Sequence, residues 1–451
     1  VGLCVMVAFA IACMVLVGAL RHHFAAGGRF VPIGDWVRAW DKPTLQWLGF
    51  AWFVLTPFRM CLRCGVAYAS RQRSGIGKLT ELATEGRSTA TTILSLSIVR
   101  ALRAADEVPE TARKLLSFTD NRQDASLQAG HFNDFIQVAM LRGALARALT
   151  DAGPSGIAYE DLAIAVTSAL GLDYTHYAKN PEDEYGRDDA LNALRSVVRY
   201  RVFYDMRRGW RLTSPNLEQT GLLAVKYEHL QTLCADASKW QDSHSVLALS
   251  QPEQRERACR EVLDWMRREL AVNADCLEPD EQERMMRRSS QHLRSVNEPG
   301  PTGGLSWGIE LDERPQRFRV VRLDRVEEFS RDREIALTSS SAIGHFLRSP
   351  SSWTALQGKK MAPKDFPALA RSLIDVLALN GFVEPFGGAE FKNPKDREGR
   401  PLLFRLRMGR VRWLPGDGKS APDLTRTPRV SGERAEANAF FRDLYELVAR
   451  G

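Results

Sequence analysis

Cysteine is scarce in this chain of 451 residues: seven, scattered and odd in number, exclude a disulfide framework and imply a reducing, cytoplasmic setting. A GxxxxGK[ST] phosphate loop is missing too. Its nearest match, Gly75-Ile76-Gly77-Lys78-Leu79, has the wrong glycine spacing and puts Leu79 where a magnesium-binding hydroxyl is required. Without that hydroxyl and that backbone cradle a loop would not hold a nucleotide. Nor is there a strong excess of one charge. Against 55 acidic residues stand 62 basic ones, a net +7, which fits a nucleic-acid partner without requiring one. No long segment reads as disordered. With 44% hydrophobic and 26% charged residues, the length suffices for about two to four domains with real cores.

What is present begins with an oddity. Val1 to Leu20 carries no charge and is followed by Arg21-His22-His23, the length and flank of a transmembrane or signal-anchor segment over residues 1–24. Trp36, Trp40, Trp47 and Trp52 would extend an interfacial stretch. A buried core helix and a mis-joined or truncated reading frame are the competing accounts, the latter because the chain opens on Val. Residues 25–87 form a connector containing Cys61-Leu62-Arg63-Cys64-Gly65. That spacing is half a zinc knuckle, with Cys61 and Cys64 as ligands; a tetrahedral ion needs a second pair, and none follows at ribbon spacing.

The densest functional signal is KLLSFTDNRQDASLQAGHFNDF, Lys114 to Phe135. Leu115, Leu116 and Phe118 have the pattern of a strand buried in a parallel sheet. Asp120 and Asn121 are N-cap types, and Leu127, His131, Phe132 and Phe135 recur at helical spacing. A strand, a polar turn and a helix in that order aim backbone N–H groups, Arg122 and Gln123 at whatever lies over the strand's end. A purely structural account has Asp120 as a cap and Arg122 paired with Asp124 or Glu85. His131 reads as a packing residue on a helix face.

FTDNRQDA resembles motif IV of large bacterial DEAD/DEAH-box, superfamily 2 helicases. The likeness extends through CLRCGVAYASRQRSG at Cys61 and EGRSTATTILSLSIVRAL at Glu85, and more loosely to the C-terminus. It implies that residues 88–150 open a second RecA-like domain, and that Thr119, Asp120, Asn121, Arg122 and Gln123 lie near a nucleic-acid backbone, DNA more than RNA. Arg71, Arg73 and Lys78 form a weaker basic cluster. In such a parent, ATP and magnesium would be held between this domain and a preceding RecA-like domain that the chain does not contain. The DEAD or DEAH tetrad and the arginine-rich motif VI are also missing. The expectation is therefore a helicase fragment without ATPase activity of its own and with no catalytic residue. Nothing in the sequence points to a small-molecule substrate.

The remainder reads as mainly α with α/β parts. Residues 151–300 form a helical insertion, with helices over Ala158 to Leu170, Asp189 to Tyr204 and Glu253 to Leu270, and a short strand at Gly209 to Leu212. The arginines of the third helix, Arg255, Arg257, Arg260, Arg267 and Arg268, read as a solvated face. Pro299 to Gly304 is a linker. Residues 305–420 have the order of a winged helix: helices over Ser339 to Leu347 and Phe366 to Leu379, a stop at Asn380-Gly381, then Leu403 to Leu406 and Val411 to Leu414 as a hairpin around Met408-Gly409-Arg410. That wing would carry Arg405, Arg407, Arg410 and Arg412 to phosphates. Residues 421–451 end in a helix over Glu433 to Val448. Two other classes remain: a non-catalytic winged-helix DNA-binding protein, and a membrane-tethered regulator.

Overall fold

The computed structural model describes residues 84–116, 122–207, 215–295, 306–309, 311, 314–324, 333–387, 395–396, 398–419 and 439–450. The apolar segment of residues 1–24, the knuckle cysteines Cys61 and Cys64, Arg71, Arg73, Lys78 and the strand expected at Gly209 to Leu212 lie outside them. The chain is mainly helical with a curled mixed sheet.

Helix α1 (Thr84–Ala104) is followed by a 3₁₀ turn at Glu110–Ala112, an irregular stretch at residues 113–116 and then α2 (Arg122–Ala152). The strand expected at Leu115 and Leu116 is not there. Both residues lie in irregular chain, and Leu116 is 79% exposed, so neither is buried in a sheet. Gly153-Pro154 stops α2, since proline cannot continue a helix. Next come α3 (Tyr159–Leu170), a short α4 (Tyr174–Tyr177) that the sequence pattern does not announce, and α5 (Arg187–Met206); α3 and α5 lie close to the bounds their periodicity predicts.

The middle of the chain contains β1 (Leu223–Tyr227), α6 (Leu230–Ala235), α7 (Ser245–Ala248), α8 (Pro252–Arg268), β2 (Val272–Asn273) and α9 (Pro279–His292). The last part contains β3 (Val320–Arg322), β4 (Glu334–Ala336), α10 (Ala342–Leu347), α11 (Phe366–Leu379), β5 (Val383–Pro385), β6 (Leu403–Arg407), β7 (Val411–Pro415) and α12 (Ala439–Arg450). Phe366, Leu369, Ala370, Leu373, Ile374, Val376 and Leu377 form the buried face of α11, as their 3.6-residue recurrence demands. Gly381 then takes φ 75°, and the N–H groups of Gly381 and Phe382 reach back to the carbonyls of Ala378 and Leu377, at 3.1 and 2.9 Å, in a Schellman close.

The hairpin expected between Leu403 to Leu406 and Val411 to Leu414 is not formed. β6 is the centre of a five-stranded mixed sheet, antiparallel to β3 and β5 and parallel to β2, while β4 runs parallel to β3. β7 instead pairs antiparallel with β1, with Val225 opposite Trp413. Between them a 3₁₀ turn at Met408–Arg410 hands the chain from one sheet to the other. The physical reason is burial. Leu403, Phe404 and Leu406 are covered on both faces of β6, which a wing with one face in water cannot provide. A two-stranded ribbon is marginal alone. β1 and β7 are held by Trp413, fully buried, which lies 6.1 Å from the Phe203 ring and bridges by backbone to Ile157.

α12 packs along α2. Phe441, Leu444 and Tyr445 are buried there, with the Phe441 ring 6.5 Å from that of Phe135. Close approach depends on Gly143, where a Cβ would come within 2.8 Å of Val448 Cβ and 3.1 Å of its backbone carbon. Neither atom can rotate away. Gly143→Ala is therefore expected to push the helices apart and cost about 1–3 kcal/mol, measurable as a lowered urea midpoint. An unchanged midpoint would mean that α12 is not seated there.

Candidate nucleic-acid interface

The four arginines around β6 and β7 fall into different environments. Arg405 is 8% exposed, its guanidinium between the rings of Phe318 and Phe386 at 4.8 and 4.4 Å and bonded to Glu278 at 2.5 Å. Desolvated, stacked and paired, it serves the sheet and has no path to an external phosphate. Arg412 is half-buried and donates to Glu228 at 2.8 Å.

Arg407 and Arg410 flank the 3₁₀ turn and converge. A Cβ at Gly381 would lie 3.5 Å from Arg410 Nη2 and 3.9 Å from Arg407 Nη1, so both guanidiniums sit over the C-terminal close of α11. The helix's terminal carbonyls favour cations there. Arg407 is half exposed, and its carboxylate, Glu384 at 3.2 Å, is shared with Arg405. Arg410 lies 5.7 Å from the Phe382 ring centre and has no ion pair among the described residues. The result is a small, partly exposed cationic patch.

Thr119, Asp120 and Asn121 lie outside the described residues. Of Arg122 and Gln123 only the backbone is described: they begin α2. Among the described residues no group of three or more His, Cys, Asp or Glu is arranged for a metal, and no helix is long and apolar enough to cross a membrane.

Sequence reasoning missed the largest electrostatic feature. Three of the five α8 arginines expected in water, Arg255, Arg267 and Arg268, are buried. Arg255 donates to the carbonyls of Leu247, Ala248 and Cys234, closing the C-terminal ends of α7 and α6. Arg267 and Arg268 share Glu218 at 2.9 and 2.5 Å, and Arg267 also reaches Asp264, which accepts from Tyr227 at 2.8 Å. Burial works against the Glu218 carboxylate, but the two guanidiniums outweigh it and hold its pKa far below the usual range. Glu261, close by, goes the other way: burial first, then the like charge of Asp264, raises it to about 7 against the partial relief of Arg268 and Arg257. A sequence signal for this burial existed. Ala258, Cys259, Val262, Leu263 and Met266 form an apolar stripe so wide that its neighbours at 255, 261 and 267 are drawn in with it.

A second buried node lies between helices. Arg142 on α2 bonds both carboxylate oxygens of Asp205 on α5, at 2.6 and 2.9 Å, the Pro215 carbonyl at 3.0 Å and the Tyr445 hydroxyl on α12 at 2.5 Å; that hydroxyl itself donates to Pro215. Burial opposes the Arg142 charge, yet Asp205 and Tyr445 more than offset it, and its pKa moves up.

No protein-family model, curated protein or solved structure matches this chain.

Proposed function

We propose that this chain is a segment of a superfamily 2, ATP-dependent helicase or translocase, contributing nucleic-acid contacts while the phosphoryl-transfer groups belong to the parent protein. The observation that carries the reading is the FTDNRQDA run followed at once by a helix from Arg122. The first N–H groups of a helix beginning there have no intrahelical acceptor, and such groups favour a phosphate. In the parent, a RecA-like domain opening at this run would close on ATP and magnesium against the preceding one, and positioned charge would serve the transfer. The half site of Cys61 and Cys64 would hold zinc only with two further ligands.

The paired guanidiniums of Arg407 and Arg410 give the reading a surface to test. Their phosphate contacts would be sequence-independent and would weaken with salt. Fluorescence anisotropy with single-stranded DNA is expected to show binding that falls between 50 and 200 mM salt. In the double variant R407E/R410E affinity should drop about tenfold or more, with the salt slope shallower by about two. Equal affinity and slope in the variant would remove these residues from the interface. A nucleic-acid-binding module without a motor is the second reading, favoured because the Arg407–Arg410 patch over Gly381 draws on no phosphate-loop or motor residue. It requires DNA affinity indifferent to ATP and magnesium, and no ATPase activity when the chain is joined to a helicase domain bearing the phosphate loop and DEAH tetrad.

A further inference from the structure

A polar cleft of about 620 Å³ opens between α5, α9, the middle of α3 and the turn at Asp275 and Cys276. Arg407 and Arg410 are not among the residues that line it. Its walls follow from helical spacing: Asn192, Arg195, Ser196 and Arg199 share one face of α5, and Arg288 and His292 share one face of α9. The volume is that of a nucleotide- or sugar-phosphate-sized ligand.

Charge accounting decides what it would accept. Three carboxylates line the cleft, but two are occupied. Asp275 pairs with Arg199 at 3.0 Å and accepts from the Tyr159 hydroxyl, and Glu281 pairs with Arg284, outside the cleft, at 2.7 Å. Arg195 and Arg288 have no carboxylate partner among the described residues. The Nε atoms of Arg195 and Arg199 are shut off from solvent with no acceptor. Buried N–H groups without acceptors are uncommon, since each costs desolvation that nothing returns. Arg195 donates only to the neutral Asn192 Oδ1, at 3.4 Å, and Asp189, at the first turn of α5, is the remaining carboxylate, which does not balance the charges of both Arg195 and Arg288. We propose that this cleft binds a small phosphate-bearing anion, held by Arg195 from one helix and Arg288 from the other. The ligand's oxygens would accept from the guanidinium forks in the bidentate manner suited to phosphate, with Asn192, Ser196 and His292 as further polar contacts.

Isothermal titration of the full chain with inorganic pyrophosphate tests this. Saturable binding is expected, weakened about tenfold or more in R195Q/R288Q, while R287Q, on the same helix but outside the cleft, binds as the unaltered chain does. Arg195 and Arg288 are not fully buried, so both variants should keep the melting temperature of the unaltered chain; this separates a lost ligand contact from a lost fold. No saturable heat up to about 10 mM pyrophosphate, or equal affinity in R195Q/R288Q, overturns the assignment. Competition with single-stranded DNA separates two sources of phosphate. Pyrophosphate binding undisturbed by DNA marks a site for a free small anion, whereas displacement by DNA would overturn the small-ligand reading in favour of a backbone contact.

Discussion

Replacing Arg142 by Met is expected to lower the free energy of unfolding by about 3–5 kcal/mol. The size comes from what is left behind. Arg142 and Asp205 are both almost fully buried, and the methionine side chain fills much of the arginine's volume while supplying none of its charge. Asp205 would keep a carboxylate in the interior without its bidentate partner. The Tyr445 hydroxyl and the Pro215 carbonyl would each lose a donor as well. Because the guanidinium joins α2, α5 and α12, the loss should extend beyond its own contacts to the seating of α12. Urea denaturation followed by circular dichroism measures it. The double variant R142M/D205L is the informative companion: replacing the whole pair by apolar groups should recover much of the loss, since an absent buried pair costs far less than a broken one. A single variant within about 0.5 kcal/mol of the unaltered protein would show that the node is not a structural staple.

The same physics separates what was legible in the sequence from what was not. Helices with a clean apolar period were readable, and α11 runs from Phe366 to Leu379 as its pattern predicts, closed by Asn380-Gly381. Such signals are local: capping, periodicity and a left-handed glycine depend on residues within a few positions. Strand pairing is not local. Two short strands three residues apart read as a hairpin, yet β6 and β7 belong to different sheets whose other members come from residues 223–385. The adjacent apolar residues Leu403 and Phe404, followed by Leu406, were the available warning, because a half-solvated wing alternates strictly.

Charges were misread for a related reason. An arginine on a helix is solvated by default, and only its distant partners reveal otherwise. Glu218 lies about fifty positions from Arg267 and Arg268, and Glu278 more than a hundred from Arg405. Neither spacing leaves a trace in composition. Consequently the count of 62 basic residues overstates the cations available at the surface. Of the arginines assigned to nucleic-acid contact, Arg405 is consumed internally, while Arg407 and Arg410 remain where a phosphate can reach them. The motif IV run is the reverse case. Its chemistry is legible in the residues, and the start of α2 at Arg122 agrees with the helix their pattern predicts, but the positions of Thr119 to Asn121 lie outside the described residues.

Glu261→Gln is expected to stabilise the protein above neutral pH and leave it nearly unchanged in acid. Glu261 is 7% exposed, its Oε2 has no hydrogen-bond partner, and its folded pKa stands at about 7 against an ordinary 4.5. The folded chain therefore holds this proton more tightly than the unfolded chain. Stability from the group is fully present below 4.5 and is lost progressively as pH rises through 7, where both states have ionised and the folded one contains a desolvated carboxylate beside Asp264. The displacement corresponds to about 3 kcal/mol at most. Glutamine matches the neutral acid in shape and cannot ionise, so the gain should grow from under about 1 kcal/mol at about pH 5 toward about 2–3 kcal/mol at about pH 8. Glu218 bounds the acid side with the opposite sign: its depressed carboxylate stabilises the fold above 4.5 and loses that contribution as pH falls, in both proteins alike. Urea midpoints for the two proteins across that range should converge in acid and part in base. Parallel curves at every pH would mean that Glu261 is already ionised in the folded state, and that Arg257 and Arg268 neutralise it more fully than its burial opposes.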